Sequence, residues 1–470
     1  MSVLYNLESL TKEQINHIIK NLTFYAIDER EEELRKWGKL KNTPSAPKLS
    51  IQMYIVDTST KIIKLPYRYS CDILNYKNTN EYPKVLNEKN GVIFKASLRE
   101  DQIEPALKAL NFLKTNNAVI LGLPTGFGKS IIGIWLSYVL ELMLCGFFHR
   151  ETILYQWYKT IIDSIEGIEG KIWIVGEREL KEGEIPLIIL CMNQRYHLIP
   201  EYLIKLVGTV IVDECHLFCT PSNKNSLLFF QPKYIIMETA SLPRDDKLER
   251  MIYSITGDFG IFKTATTKYQ FYKINTNIKE IEEFTQRGVN STALYKALAE
   301  NEYRNNIILN IIKTNPHRKF MVLSKLAEHV ITLTKMLTEN GIECDTLFGK
   351  KNTYSDSNVL LGTISKLSTG FDEQNACKDF RGTKSNVLIL THSVKSIPLF
   401  IQIKGRMRYS SESGGLIPVF VWLSDKNAMV KRHFKELQPT ILETNGDIVE
   451  MDYQENDVVL DGNELDIVLK

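Results

Sequence analysis

Residues 118–148, AVILGLPTGFGKSIIGIWLSYVLELMLCGFF, carry only two charged side chains, Lys129 and Glu141. A segment this apolar must be covered on nearly every side, by lipid or by protein. The 18 residues 131–148 reach the lower limit of a membrane span. The Gly-Lys-Ser directly before them decides against a span. An apolar run, a Gly-rich turn ending in Lys-Ser and a second apolar run describe a buried strand, a loop and a buried helix leading into the next strand. Such elements read as near-continuous apolar runs when a parallel sheet is covered on both faces. The expectation is an α/β protein with no membrane span.

The rest of the chain repeats that pattern. From about residue 97, apolar runs of strand length (AVILGL, TVIVDE, KYIIME) alternate with helical segments. A polar, less patterned stretch follows at about 262–290. A second series then brings FMVLS, CDTLFG, VLLGT, SNVLILT and IPVFVWL. Before these lie a charged segment, DEREEELRKWGKLK, and alternating stretches such as SIQMYIVDT and KIIKLPYRY. The plan is a small N-terminal α+β module over 1–90 and α/β domains over 91–262 and 263–430. An acidic peripheral tail is expected over 431–470, whose last 28 residues hold nine acids and one lysine. A chain of 470 residues is too long for a single core.

With 58 basic and 56 acidic residues the net charge is +2, so any nucleic-acid binding must come from a local basic groove. Seven dispersed cysteines suit reduced thiols in an intracellular compartment. Cys215, His216 and Cys219 cluster as CHLFC, but no second pair stands at zinc-finger spacing, and no metal site of that kind is expected. The N-terminus, MSVLYNLESLTKEQ, lacks the layout of a signal peptide.

LGLPTGFGKS carries the chemistry. The strict phosphate-loop pattern has Gly where Leu123 stands, a position that mainly affects strand-to-loop packing. Gly126 and Gly128 free the backbone to turn its N–H groups toward a β-phosphate, so Leu123, Pro124, Thr125, Gly126, Phe127 and Gly128 form a candidate nucleotide cradle. Lys129 would reach the β- and γ-phosphates, and the Ser130 hydroxyl would ligate Mg²⁺. Downstream, TVIVDECH is an apolar strand ending in two acids. Asp213 would hold the Mg²⁺ directly or through water, with Glu214 as general base on the attacking water. ATP and Mg²⁺ are the expected cofactors and ATP hydrolysis the expected reaction.

PTGFGKS followed by DECH resembles the DExH-box superfamily 2 helicases and translocases, and further segments match that family in order over roughly 97–425. The resemblance implies two RecA-like domains. It implies that Gln102 of SLREDQ helps hold adenine. HRETILYQW resembles motif Ia, with Arg150 on the nucleic-acid backbone. CMNQRY departs from the usual Thr-containing motif at Cys191. METAS resembles motif III, in which Thr239 and Ser241 would link the acids to the nucleic-acid site. FMVLSK resembles motif IV. GTISKLSTGFDE resembles motif V, with Gly362 and Thr363 on the bound strand, Lys366 adding positive charge, and Gly370 and Asp372 turned to the nucleotide. QIKGRMRYS resembles motif VI, where Gln402 and Arg406 would reach across the interdomain cleft. The family's second arginine falls at Tyr409, and Arg408 lies one residue early, about 100° around a helix. Either Arg406 or Arg408 would stabilise charge developing on the γ-phosphate.

Within superfamily 2 the layout is similar to XPB, the phage helicase UvsW and the transcript-release helicases of large DNA viruses. By that analogy the chain is a viral ATP-dependent helicase or translocase. Its partner would be nucleic acid, DNA before RNA, with transcription or replication proteins alongside. Its place would be the host cytoplasm or nucleus, and the virion. The same motifs also suit a duplex translocase or annealing ATPase that does not unwind, and a non-catalytic nucleic-acid-binding module would need a broken site.

Overall fold

In the computed structural model, residues 1–25, 50–240, 242, 247–263, 267–285, 288–367, 371–407, 416–454 and 458–460 are described. The chain forms two compact units, Met1–Lys263 and Thr264–Lys470.

At the N-terminus, β1 (Ser2–Asn6) and β2 (Ile55–Asp57) flank β3 (Ile62–Pro66) in an antiparallel sheet. Thr11 and Gln14 close a capping box at the start of the helix Lys12–Asn21. KIIKLPYRY, strand-like throughout in sequence, changes state at Pro66, after which Tyr67–Leu74 is helical. Val3, Ile18, Ile51 and Leu65 share one buried cluster with Phe218, Phe230 and Ile252. Ser2 donates from Oγ to the Leu228 carbonyl at 2.8 Å. The N-terminal layer is thus built onto one face of the sheet that follows.

That sheet has seven parallel strands: β4 (Ala118–Gly122), β5 (Met143–Phe148), β6 (Ile172–Ile174), β7 (Ile188–Met192), β8 (Val207–Val212), β9 (Tyr234–Thr239) and β10 (Gly260–Phe262). Their spatial order is β6-β7-β5-β8-β9-β4-β10. Every residue of β5, β7 and β8 is buried, as the apolar runs require. The membrane-length segment 131–148 divides between the helix Lys129–Leu140 and β5. Among the described residues no helix is long and apolar enough to cross a membrane.

The second unit repeats the design with β11 (Tyr269–Asn275), β12 (Phe320–Ser324), β13 (Cys344–Leu347), β14 (Val359–Thr363), β15 (Val387–Leu390), β16 (Val419–Ser424) and β17 (Gly446–Asp452). The order is β13-β14-β12-β15-β16-β11-β17, again all parallel. Two such parallel sheets in tandem are the expected pair of RecA-like folds. Two segments differ from the sequence reading. The polar stretch 262–290 contains β11, an interior strand with Tyr269, Phe271, Tyr272 and Ile274 buried. Residues 431–452, expected within an acidic tail, complete the helix Ala428–Glu443 and form β17. The β17 acids lie along a sheet edge, where Glu450 pairs with Lys273 at 2.6 Å.

Candidate functional site

In a parallel sheet all strands end on one edge, and the loops there bring distant residues together. In the first unit the edge after β4 carries the Gly-rich loop, that after β5 His149 and Arg150, that after β8 Asp213 and Glu214, and that after β9 the METAS turn. The loop works by backbone shape. Gly126 and Gly128 have φ of +81° and +89°, the left-handed region that favours glycine. Helix Lys129–Leu140 starts immediately after them, turning its free N–H groups toward the loop.

Leu123 shows how the loop dispenses with its first glycine. Its side chain is buried in the core beneath the loop, a burial worth roughly 2 kcal/mol. Its carbonyl accepts from Lys129 Nζ at 3.1 Å. Lys129 is 8% exposed, its ammonium held against the loop backbone. Two donors, Arg99 Nη2 and Gln102 Nε2, converge on the Phe127 carbonyl at 2.7 Å each. Gln102 also accepts from the Arg99 N–H at 2.9 Å, capping the helix Glu100–Asn116.

Asp213 and Glu214 follow β8 and are both buried. Asp213 accepts from Trp157 Nε1 at 3.1 Å through Oδ2 and from the Glu214 N–H at 2.9 Å through Oδ1. Each oxygen keeps a further lone pair for a cation. Burial, and then the adjacent Glu214 carboxylate, push the Asp213 carboxyl up to about 7, against the opposing pull of Lys129. Glu214 sits in the left-handed region at φ +48°, sparsely populated for a non-glycine residue. Its Oε2 lies 3.3 Å from His216 Nδ1. His216 Nδ1 and Thr239 Oγ1 are 2.9 Å apart, tying the acid box to the METAS strand end.

Three residues join the site without having been singled out as functional. Trp157 fixes Asp213. His216 joins Glu214 to Thr239. Glu238 is fully buried on β9, one place beyond the Val212–Met237 register pair and so beside Asp213. Neither Glu238 oxygen has a hydrogen-bond partner among the described residues. Burial, then the Asp213 charge, raise its carboxyl well above the usual range. The Glu in METAS was its only sequence signal.

The other expected residues separate into groups. Arg150 is half-buried at the start of helix Glu151–Ser164. Thr239 is fully buried. Cys191 is buried at the end of β7. In the second unit Gly362 and Thr363 end β14, and Lys366 donates to the Gly349 carbonyl at 3.2 Å. Arg406 donates to the Phe371 carbonyl and lines a small cavity with Asp372, Glu373 and Lys384, so the motif V and VI segments meet there. Ser241, Gly370, Arg408 and Tyr409 lie outside the described residues.

Comparison with known proteins bears on this site. A family model described as the type III restriction enzyme res subunit matches residues 95–244, the stretch that holds the loop and the acid box. The helicase candidate 161L of Invertebrate iridescent virus 6 is 27% identical over 76% of this chain and 82% of its own length. Transcript termination protein A18 of vaccinia virus (strain Ankara) is 24% identical over 47% of this chain and 48% of its own. A variant of S. cerevisiae Dbp5, solved bound to RNA and ADP BeF3, shares the fold at a TM-score of 0.51 and 12% identity, over 78% of this chain and 92% of that one. The chain is therefore an ATP-hydrolysing enzyme of the nucleic-acid helicase and translocase kind, similar to a viral helicase candidate and to a viral transcript termination protein.

Proposed function

We propose that the chain is a DNA-dependent motor that serves viral transcription, replication or recombination inside the infected cell, with a first domain over 91–262 and a second that runs from 263 past residue 430 to include β17. The observation that carries the catalytic part is the grouping on one sheet edge of a glycine-shaped loop, a tethered Lys129 and the buried pair Asp213 and Glu214. Lys129 and the loop N–H groups bind the β- and γ-phosphates. Glu214, held near His216, orients the attacking water and takes its proton. Ser130 and Asp213 suit Mg²⁺, an all-oxygen pair with lone pairs to spare, and the ion would neutralise phosphate charge. In the second unit Arg406, anchored on Phe371, is assigned to the charge developed during hydrolysis, with Asp372 beside it. Arg150, Gly362 and Thr363 are assigned to the nucleic-acid backbone, Thr239 to the link between that track and the acids.

The test is ATP turnover by the full chain with no polymer, single-stranded DNA, duplex DNA and RNA, beside Lys129→Ala. Stimulation by DNA that vanishes in the variant is expected, and a strand-displacement assay then separates unwinding from translocation. Turnover no higher than in the variant under every condition would overturn the proposal.

A further inference from the structure

His149 follows the apolar strand β5 and stands directly before Arg150, and the hydrolytic scheme leaves its imidazole unused. Both ring nitrogens are buried, and neither has a hydrogen-bond partner among the described residues. Burial, and then the Arg150 charge, hold the imidazole down to about 4, against the opposing pull of Glu214. At neutral pH the ring is therefore uncharged, with one N–H to donate and one lone pair to accept. A buried polar group without a partner costs stability, and one kept at the edge of a reaction site calls for a role there.

The general base occupies the same corner. The last register pair between β5 and β8 is Phe147 with Val212, and the Asp213 N–H donates to the Phe147 carbonyl at 3.1 Å. His149 and Glu214 each lie two residues past that pair, on neighbouring strand ends, close enough for the Glu214 charge to act on the imidazole. Glu214 Oε2 is also buried and makes no hydrogen bond among the described residues, with His216 Nδ1 3.3 Å away. His216 Nδ1 is itself engaged with Thr239 Oγ1 at 2.9 Å. Two buried groups of complementary kind, a carboxylate acceptor and an imidazole donor, thus stand unbonded at one corner of the site. Catalytic hydrogen bonds are often long or unformed without substrate and tighten when it binds.

We propose that His149 is a positioning residue for Glu214: with nucleotide bound, its N–H donates to the carboxylate and holds it on the attacking water. The inference rests on the reading of this site as a nucleotide hydrolase with Glu214 as the base. The imidazole gives up no proton in this scheme. The water's proton goes to Glu214, and His149 fixes which carboxylate oxygen is left free to take it.

The test compares the full chain with His149→Phe and His149→Gln, each alone and combined with Glu214→Gln, in turnover of labelled ATP with Mg²⁺ and a stimulating DNA. Phenylalanine keeps a ring and removes both nitrogens, whereas glutamine keeps a donor on a flexible stem. His149→Phe should lower kcat by about 10- to 100-fold, the scale of one hydrogen bond to a charged group, and change KM by no more than about twofold. His149→Gln should recover part of that loss. In the Glu214→Gln background, His149→Phe should alter kcat by no more than about twofold, because the group it positions is gone. The Tm of His149→Phe should hold or rise, since two unpartnered polar atoms leave the interior. A kcat for His149→Phe within about twofold of the unaltered chain, or an equal loss in both backgrounds, would overturn the inference. If the phenylalanine variant does not fold, His149→Ala in the same two backgrounds decides by the same criteria. Absence of turnover in the unaltered chain would instead sink the hydrolase reading.

Discussion

Glu238 offers the sharpest test of the site's electrostatics, through its replacement by methionine. In the unfolded chain this carboxyl titrates at its ordinary 4.5, whereas burial and the neighbouring Asp213 hold it well above that in the folded protein. Between those two values the folded state keeps a proton that the unfolded state has lost, so stability falls as pH rises. The slope for one group is about 1.4 kcal/mol per pH unit over the range in which the two states differ, an effect of the order of 1–3 kcal/mol. Methionine is close in volume, flexible and carries no charge to desolvate. Glu238→Met should therefore be the more stable protein at pH 7, and its advantage should shrink by about 2 kcal/mol at pH 5. For a domain of this size that change corresponds to roughly 4–8 °C in Tm. Thermal and urea unfolding at pH 5, 6 and 7, followed by tryptophan emission, measures it. An advantage constant across that range, or a variant less stable at pH 7, would show that the carboxyl has a partner or reaches water, and the reasoning would fall.

Three further outcomes follow from particular contacts. Gly128→Ala must hold a Cβ at φ +89° and 2.2 Å from Gln102 Nε2; beyond a strain of about 1–2 kcal/mol it should weaken binding of a fluorescent ADP analogue at least tenfold, which titration checks. Glu214→Gln should lower kcat for ATP by about 10²- to 10⁴-fold while KM changes little, as removal of a general base requires, and steady-state kinetics on a variant of unchanged Tm decides it. In the second unit Arg304 and Asp425 form a buried ion pair at 3.1 Å, so Arg304→Met should cost about 3–5 kcal/mol in urea unfolding; the double variant Arg304→Met/Asp425→Leu should recover much of it, because the cost lies in the stranded charge.

How much of this was legible in sequence depends on what hides an element. The strands carrying the loop and the acid box are buried on both faces, so they appear as bare apolar runs and need no periodicity. β17 is an edge strand, and Asp447, Glu450 and Asp452 made it look like a solvated tail, although Glu450 is spoken for by Lys273 across the ladder. β11 mixes Gln270 and Lys273 with buried aromatics, and in composition resembles the loops around it. Identity and spacing singled out Lys129, Asp213 and Glu214, which the fold brings to one sheet edge. Spacing does not reveal direction: nothing in it tells that the Gln102 carboxamide accepts from the Arg99 N–H and donates to the Phe127 carbonyl.

Glu238 was illegible for a related reason, and it bears most on mechanism. A carboxyl in an interior strand breaks the apolar pattern, and a break of that kind in an otherwise consistent sequence is expected at functional sites. The fold makes room for it, since a Cβ on Gly133 would stand 2.4 Å from Glu238 Oε1. The result is three buried acids, Asp213, Glu214 and Glu238, grouped with one ammonium, that of Lys129. Such a group is short of positive charge, and burial together with mutual repulsion makes the Asp213 and Glu238 carboxyls hold their protons more firmly than they would in water. A dication would relieve the shortage and release those protons. Mg²⁺ with ADP should therefore stabilise the unaltered chain more than Glu238→Met, and narrow the gap between them at pH 7. A gap that stayed open at saturating Mg²⁺ and ADP would place Glu238 outside the charge balance of the nucleotide site.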